Sequence, residues 1–227
     1  MPYYPVRKDF AFDVRCHANC GHKLRSNVAT ILRDENGKEY PFGKTCARKQ
    51  LDAAGIEQLR RSPDFTKAAP GQEREGGPRN PGDRTGGEAR DDETVKFRRA
   101  VTYLLLRQDR LAHVPGAHYD VLEQYHTAYL AERTFSEAAI RHITNIERKA
   151  ASGKYGFDNL QAVYAFDQCI GRAIHEVPED RRGFLTDIQQ YLRDNLYLTQ
   201  GQVNGLDQWL RRIDGYLPLD SSKFWRQ

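Results

Sequence analysis

No apolar run in this 227-residue chain approaches the roughly 18 residues that a membrane-spanning helix needs, so no such helix is expected. Met1 to Phe12 lacks a cleavable signal pattern, because Arg7, Lys8 and Asp9 interrupt its apolar residues. Cysteine is scarce. Four in the whole chain do not make a disulfide scaffold. The expectation is a cytoplasmic protein with no membrane partner. The short catalytic signatures are missing too: there is no GxxxxGK[ST] loop, no GxGxxG after a strand, no HExxH and no GxSxG. Acidic residues do not cluster as a two-metal nuclease site would require. Nothing in the sequence points to catalysis, and the expectation is a non-enzymatic protein.

Apolar residues make up 39% of the chain and the mean hydropathy is -0.78, so a packed core does not extend along its whole length. The segment from Ala68 to Asp92 holds six glycines and three prolines, and no aliphatic side chain larger than alanine. It cannot bury enough apolar surface to offset its ordering entropy. Residues 63–93 therefore read as a flexible linker between a small module, 1–62, and a larger one, 94–227. Limited proteolysis is expected to cut first between Ala68 and Asp92; a protected segment would mean that the domains or a partner order it. The net charge is +4, and the first 66 residues hold 12 Lys/Arg against 8 Asp/Glu. The basic excess thus sits in the N-terminal module, where it suits an anionic partner.

Beyond the linker the apolar period is helical. Val95, Phe97, Val101, Leu104, Leu105 and Leu111 mark a first helix, stopped before Pro115. Five more follow, with Ser136 as one N-cap and Thr199-Gln200-Gly201-Gln202 as a capping box. A shift of 63 residues superposes the pattern on itself. Phe97 falls on Leu160, Val114-Pro115 on Val177-Pro178, Ser136 on Thr199, Ile143 on Leu206 and Ile146 on Trp209. The expected fold class is α+β: a small zinc-bound β-hairpin/helix module, then a mostly helical domain of two related three-helix units, 94–150 and 157–213. Ile143, Leu206, Ile146 and Trp209 are expected to be buried.

Three of the cysteines fall within the first 46 residues. Cys16 and Cys20 bracket a tight turn, and Gly21 after it lets the backbone fold back toward the sulfurs. Val28 to Leu32 reads as a strand, Asn36-Gly37 as a hairpin turn and Lys38 to Phe42 as the return strand. Cys46 then opens a helix, where exposed N–H groups favour a thiolate. Such a set suits a structural tetrahedral zinc site. Cys16, Cys20 and Cys46 supply three ligands; the fourth is His22, with His17 the alternative. Knuckle, hairpin and cysteine-led helix together resemble treble-clef-like zinc modules. The run Phe42-Gly43-Lys44-Thr45-Cys46-Ala47 is similar to small zinc hairpins of phage and plasmid accessory proteins. The resemblance spans about 50 residues. It departs from a treble clef in the three-residue knuckle spacing and in having no second ligand after Cys46 in its helix.

The reading that follows is a zinc-containing nucleic-acid-binding accessory protein of a phage or mobile element. Arg15, Lys23, Arg25, Lys44, Arg48 and Lys49 would meet phosphates, and Tyr40 or Phe42 would stack on bases. Arg98, Arg99, Arg107 and Arg110 would add a basic face from the first helix. The alternative is a protein-binding adaptor or inhibitor acting on a host or defence complex. Cys169, in an apolar helical stripe, reads as a core filler.

Overall fold

The computed structural model describes residues 2–24, 26–67, 88–211 and 221–225. The chain divides into two compact units, one of residues 1–66 and 71–102, the other of 67–70 and 103–227. The architecture is mixed: a three-stranded antiparallel sheet near the N-terminus and, among the described residues, eight α-helices.

In the first unit the strands are β1 (Tyr4–Phe10), β2 (Val28–Arg33) and β3 (Glu39–Phe42), in the order β1-β2-β3. The central strand is covered on both faces, with Ala29, Thr30, Ile31 and Leu32 all buried. The β2–β3 turn is held by Asp34, whose Oδ1 accepts from the amides of Asn36 and Lys38 at 2.9 Å. Gly37 there has φ +82°, a conformation that favours glycine. β1 is an addition to the expected hairpin. Its sequence, YPVRKDF, alternates poorly, and Pro5 is tolerated because the strand is an edge and its register slips between Pro5 and Arg7.

Two short helices follow. α1 (Lys44–Lys49) starts after Gly43, and α2 (Ala53–Arg61) is capped by Asp52, whose side chain accepts from the Gly55 amide at 2.7 Å. The expected linker begins too early. Pro63 and Phe65 exchange backbone hydrogen bonds with Lys8 of β1 (2.9 and 3.1 Å), and Phe65 and Thr66 are fully buried. Phe65 is the reason: its ring is fully buried next to the sheet edge. Residues 68–87 of the expected linker lie outside the described residues.

The linker's expected end also shifts. α3 (Glu88–Leu105) starts before residue 94, and up to Thr102 it belongs to the first unit. Two contacts seat it there. The Asp64 amide donates to Thr102 Oγ1 at 3.2 Å, and the Arg61 guanidinium lies 4.3 Å from the centre of the Phe97 ring.

The second unit opens on a single π-helical turn, Leu106–Arg110, closed by a hydrogen bond from the Leu111 amide to the Leu106 carbonyl (2.9 Å). It continues with α4 (Glu123–Glu132), α5 (Glu137–Ala150), α6 (Phe157–Glu176), α7 (Gly183–Asn195) and α8 (Gln200–Leu210). The six helices expected from the apolar period are therefore α3 to α8. α6 is the core helix, buried on nearly every side from Phe157 to Asp167. Asn159 on it binds the carbonyls of Lys154 and Leu196 and accepts from the Trp225 amide at 2.7 Å. Asp167, also buried, accepts from Arg193 (2.7 Å) and Gln189 (3.1 Å) of α7.

Local geometry repeats at the 63-residue offset. Arg133 and Leu196, after α4 and α7, both adopt the left-handed conformation (φ 57° and 61°). Ser136 and Thr199 both cap the next helix, accepting from the amides of Ala139 and Gln202 at 3.3 Å. Ile143 and Leu206 are buried alike. Ile146 and Trp209, expected to be buried, are half-buried. Trp209 stacks on Phe184, itself exposed at the rim (centroids 6.1 Å apart), so this position lies at the edge of the apolar face.

Candidate metal centre

The knuckle is a miniature antiparallel pairing. The Cys16 amide donates to the His22 carbonyl and the Leu24 amide to the Val14 carbonyl, both at 2.9 Å. Arg15 and Lys23 face each other between these bonds. The turn they enclose carries Cys20 and then Gly21 at φ +63°, so a glycine is needed there for backbone reasons. Cys46 comes from the first turn of α1, which β3 and Gly43 deliver to the same place.

The sulfurs of Cys16, Cys20 and Cys46 lie within 4.8 Å of one another and form a group able to hold a metal ion. Cys46 Sγ stands 3.7 Å from Cys20 Sγ, far beyond a disulfide bond, and all four cysteines are free thiols. Two thiolates about 2.3 Å from one tetrahedral ion would be about 3.8 Å apart, so the spacing fits. The Gly43 amide donates to Cys16 Sγ at 3.3 Å, an amide-to-sulfur bond of the kind that steadies bound thiolates. Hydrogen bonding sets the two neighbouring thiols apart. The His22 amide, with smaller help from Cys16, Cys46 and the His22 ring, brings Cys20 down to about 7, while the hydrogen bond to Cys20 pushes Cys46 up to about 11.

The two candidate histidines occupy different surroundings. His22 is exposed, two residues after Cys20, and its carbonyl accepts from the Cys16 amide. The His17 ring instead stacks on Tyr40 (centroids 4.0 Å, planes 21° apart), edge-on to Phe42 at 5.5 Å. Among the described residues no histidine nitrogen joins the close group of three sulfurs.

The predicted phosphate contacts scatter more widely. Arg15 is exposed, with its guanidinium donating to the Gly21 carbonyl at 3.1 Å, and Lys23 pairs with Asp13 at 2.8 Å. Arg25 lies outside the described residues. Lys44, Arg48 and Lys49 are exposed on α1, and Arg99 is exposed on α3. Lys44, Arg48 and Arg98 meet at one cavity, joined by Lys8 and Arg60, which the sequence reading did not nominate. Lys8 belongs to the unforeseen strand β1; only its pairing opposite Thr30 turns it toward that cavity.

Arg107, Phe42, Tyr40 and Arg110 are placed otherwise than expected. Arg107 does not offer a solvent-facing charge. It is buried, donates to the Ala117 carbonyl at 2.6 Å and lies 4.7 Å from the Tyr155 ring centre and 5.0 Å from that of Tyr119. It follows the buried Tyr103 and Leu104 by four and three residues, so it continues the buried stripe of the helix, on the side opposite Arg98. Phe42 is buried in the first unit's core, because strand alternation points it inward, and so it cannot stack on a base. Tyr40, the other stacking candidate, is half-buried and already covered by His17. Arg110 is half-buried, 3.7 Å from Asp109. Cys169 is half-buried on α6, and burial pushes its thiol up to about 12, which suits a filler and not a nucleophile.

No family model, curated protein or solved structure matches the chain.

Proposed function

We propose that the protein is a zinc-containing, non-enzymatic nucleic-acid-binding protein, an accessory protein of a phage or mobile element as its hairpin resemblance implies. The observation that carries this reading is the three-thiol group on a basic module: Cys16, Cys20 and Cys46 converge, and exposed cations of α1 surround the helix that brings Cys46. Zinc suits three thiolates with a nearby imidazole better than a hard cation would. Its role is structural, holding knuckle, hairpin and α1 together. His22 completes the site. Replacing His22 by alanine is expected to weaken zinc binding at least about tenfold in a chelator competition, whereas His17→Ala leaves it within about twofold. The reverse order would assign the fourth ligand to His17.

The test of function is binding to a short single strand over a range of salt. Neutralising several phosphates gives affinity that falls steeply with added salt. Absence of binding at low salt would sink this reading. The alternative, a protein-binding adaptor or inhibitor acting on a host or defence complex, draws on the covered Tyr40 and the interior positions of Phe42 and Arg107. Copurification of one protein that survives nuclease treatment would favour it.

The two three-helix units, 94–150 and 157–213, are read as copies of one ancestor. Left-handed stops and side-chain caps at matched positions support this, because such local geometry is independent of the 3.6-residue apolar period.

A further inference from the structure

Among the described residues, five cations and no carboxylate line a cavity of about 340 Å³ in the first unit. Five elements build it. Lys8 of β1 and Thr30 of β2 are direct partners across the sheet and so share one face. Lys44 and Arg48 are one turn apart on α1. Ile56, Leu59 and Arg60 are one face of α2, and Arg98 comes from α3. Lys8 lies 3.4 Å from Asp64 and Arg60 3.2 Å from Glu57. Among the described residues, Arg48 and Arg98 are in no ion pair. Like charges brought into one concavity repel, and the surrounding low-dielectric walls strengthen the repulsion. Such an arrangement is stabilised by an anion at its centre.

We infer that this cavity is a phosphate-binding site and, resting on the nucleic-acid reading above, that it receives a backbone phosphate of the bound strand. Guanidinium groups from two directions suit a tetrahedral oxyanion, because each can donate two parallel hydrogen bonds. Thr30 supplies a hydroxyl. Ile56 and Leu59 give the cavity an apolar wall, against which a sugar or base edge can rest. The same chemistry would accept a free polyphosphate, so the test separates the two sources.

Binding of a 3′-labelled single strand of about 20 nucleotides to the full, zinc-loaded chain is followed by fluorescence anisotropy, and binding of tripolyphosphate by calorimetry. Arg48 is exposed, so Arg48→Ala keeps the fold; Arg98→Ala and Arg98→Lys provide a second position. Each alanine variant is expected to lose about tenfold in strand affinity and to reduce the salt slope by about one. Arg141→Ala, on α5 of the other unit, should change neither. If the strand binds the wild type and the alanine variants equally well, the cavity inference is overturned while the nucleic-acid reading stands. If no strand binds but tripolyphosphate does, and the variants lose it, the phosphate site stands and the nucleic-acid reading fails. If neither ligand binds the wild type, both fail.

Discussion

Replacing Cys46 by serine, or stripping the metal with a strong chelator, is expected to unfold the first unit while α4 to α8 stay folded. The apolar cluster packed around the sulfurs is small: Cys16, Leu24, Ala29, Ile31, Leu32, Phe42, Ala47 and Leu51, one of which is itself a candidate ligand. A set of that size supplies little net stability once chain entropy is counted. A structural zinc contributes on the order of 10 kcal/mol of apparent binding free energy, comparable with the whole stability of an ordinary domain. At the proposed four-ligand site, loss of one thiolate would therefore exceed what the remaining contacts can offset. Metal analysis should give about one zinc per wild-type chain and much less for the variant. Helical circular dichroism should fall by a fraction only, since α1, α2 and the part of α3 up to Thr102 belong to the unit that unfolds. A variant that melts like the wild type would refute the structural role, and a complete loss of helical signal would show that the two units do not fold independently.

How far the sequence disclosed this depended on whether a local signal carried the information. The hairpin was legible because Asn36-Gly37 marks a turn by itself and Gly37 does take a positive φ. The cysteine group was legible from spacing and turn context. Caps at Ser136 and Thr199 were legible because hydroxyls before apolar-periodic runs have a mechanism. β1 was not, since its order comes from pairing with a distant strand and not from its own mixed composition. α2 was passed over although Asp52 is a capping residue and Ile56 and Leu59 recur at helical spacing; nine residues are a short window in which to read a period. The inward position of Arg107 was legible and missed. It follows Tyr103 and Leu104 by four and three residues, on the apolar stripe of α3 and opposite Arg98, so its charge and not its position suggested an exposed face.

Truncating Leu206 to alanine is expected to destabilise the second unit by roughly 2–5 kcal/mol, and Ile143→Ala should cost about the same. Both side chains are buried, so each truncation removes fully desolvated carbon atoms and leaves a cavity that neighbouring helices fill only partly. The rim positions give the comparison. Ile146 and Trp209 are half-buried, and their truncation should cost about half as much relative to their size, because water already reaches one side. Urea melts of the four variants measure this. Copies of one three-helix unit should respond in pairs, with Ile143 and Leu206 severe, Ile146 and Trp209 milder. The caps extend the test: Ser136→Ala and Thr199→Ala should each cost about 1 kcal/mol, as both hydroxyls accept an amide at the same point of their helices. A large asymmetry at the buried pair would mean that the two segments share an apolar rhythm and not an ancestral packing. Matching costs at all three pairs could not come from periodicity alone, since a hydrogen-bonded cap contributes nothing to an apolar stripe.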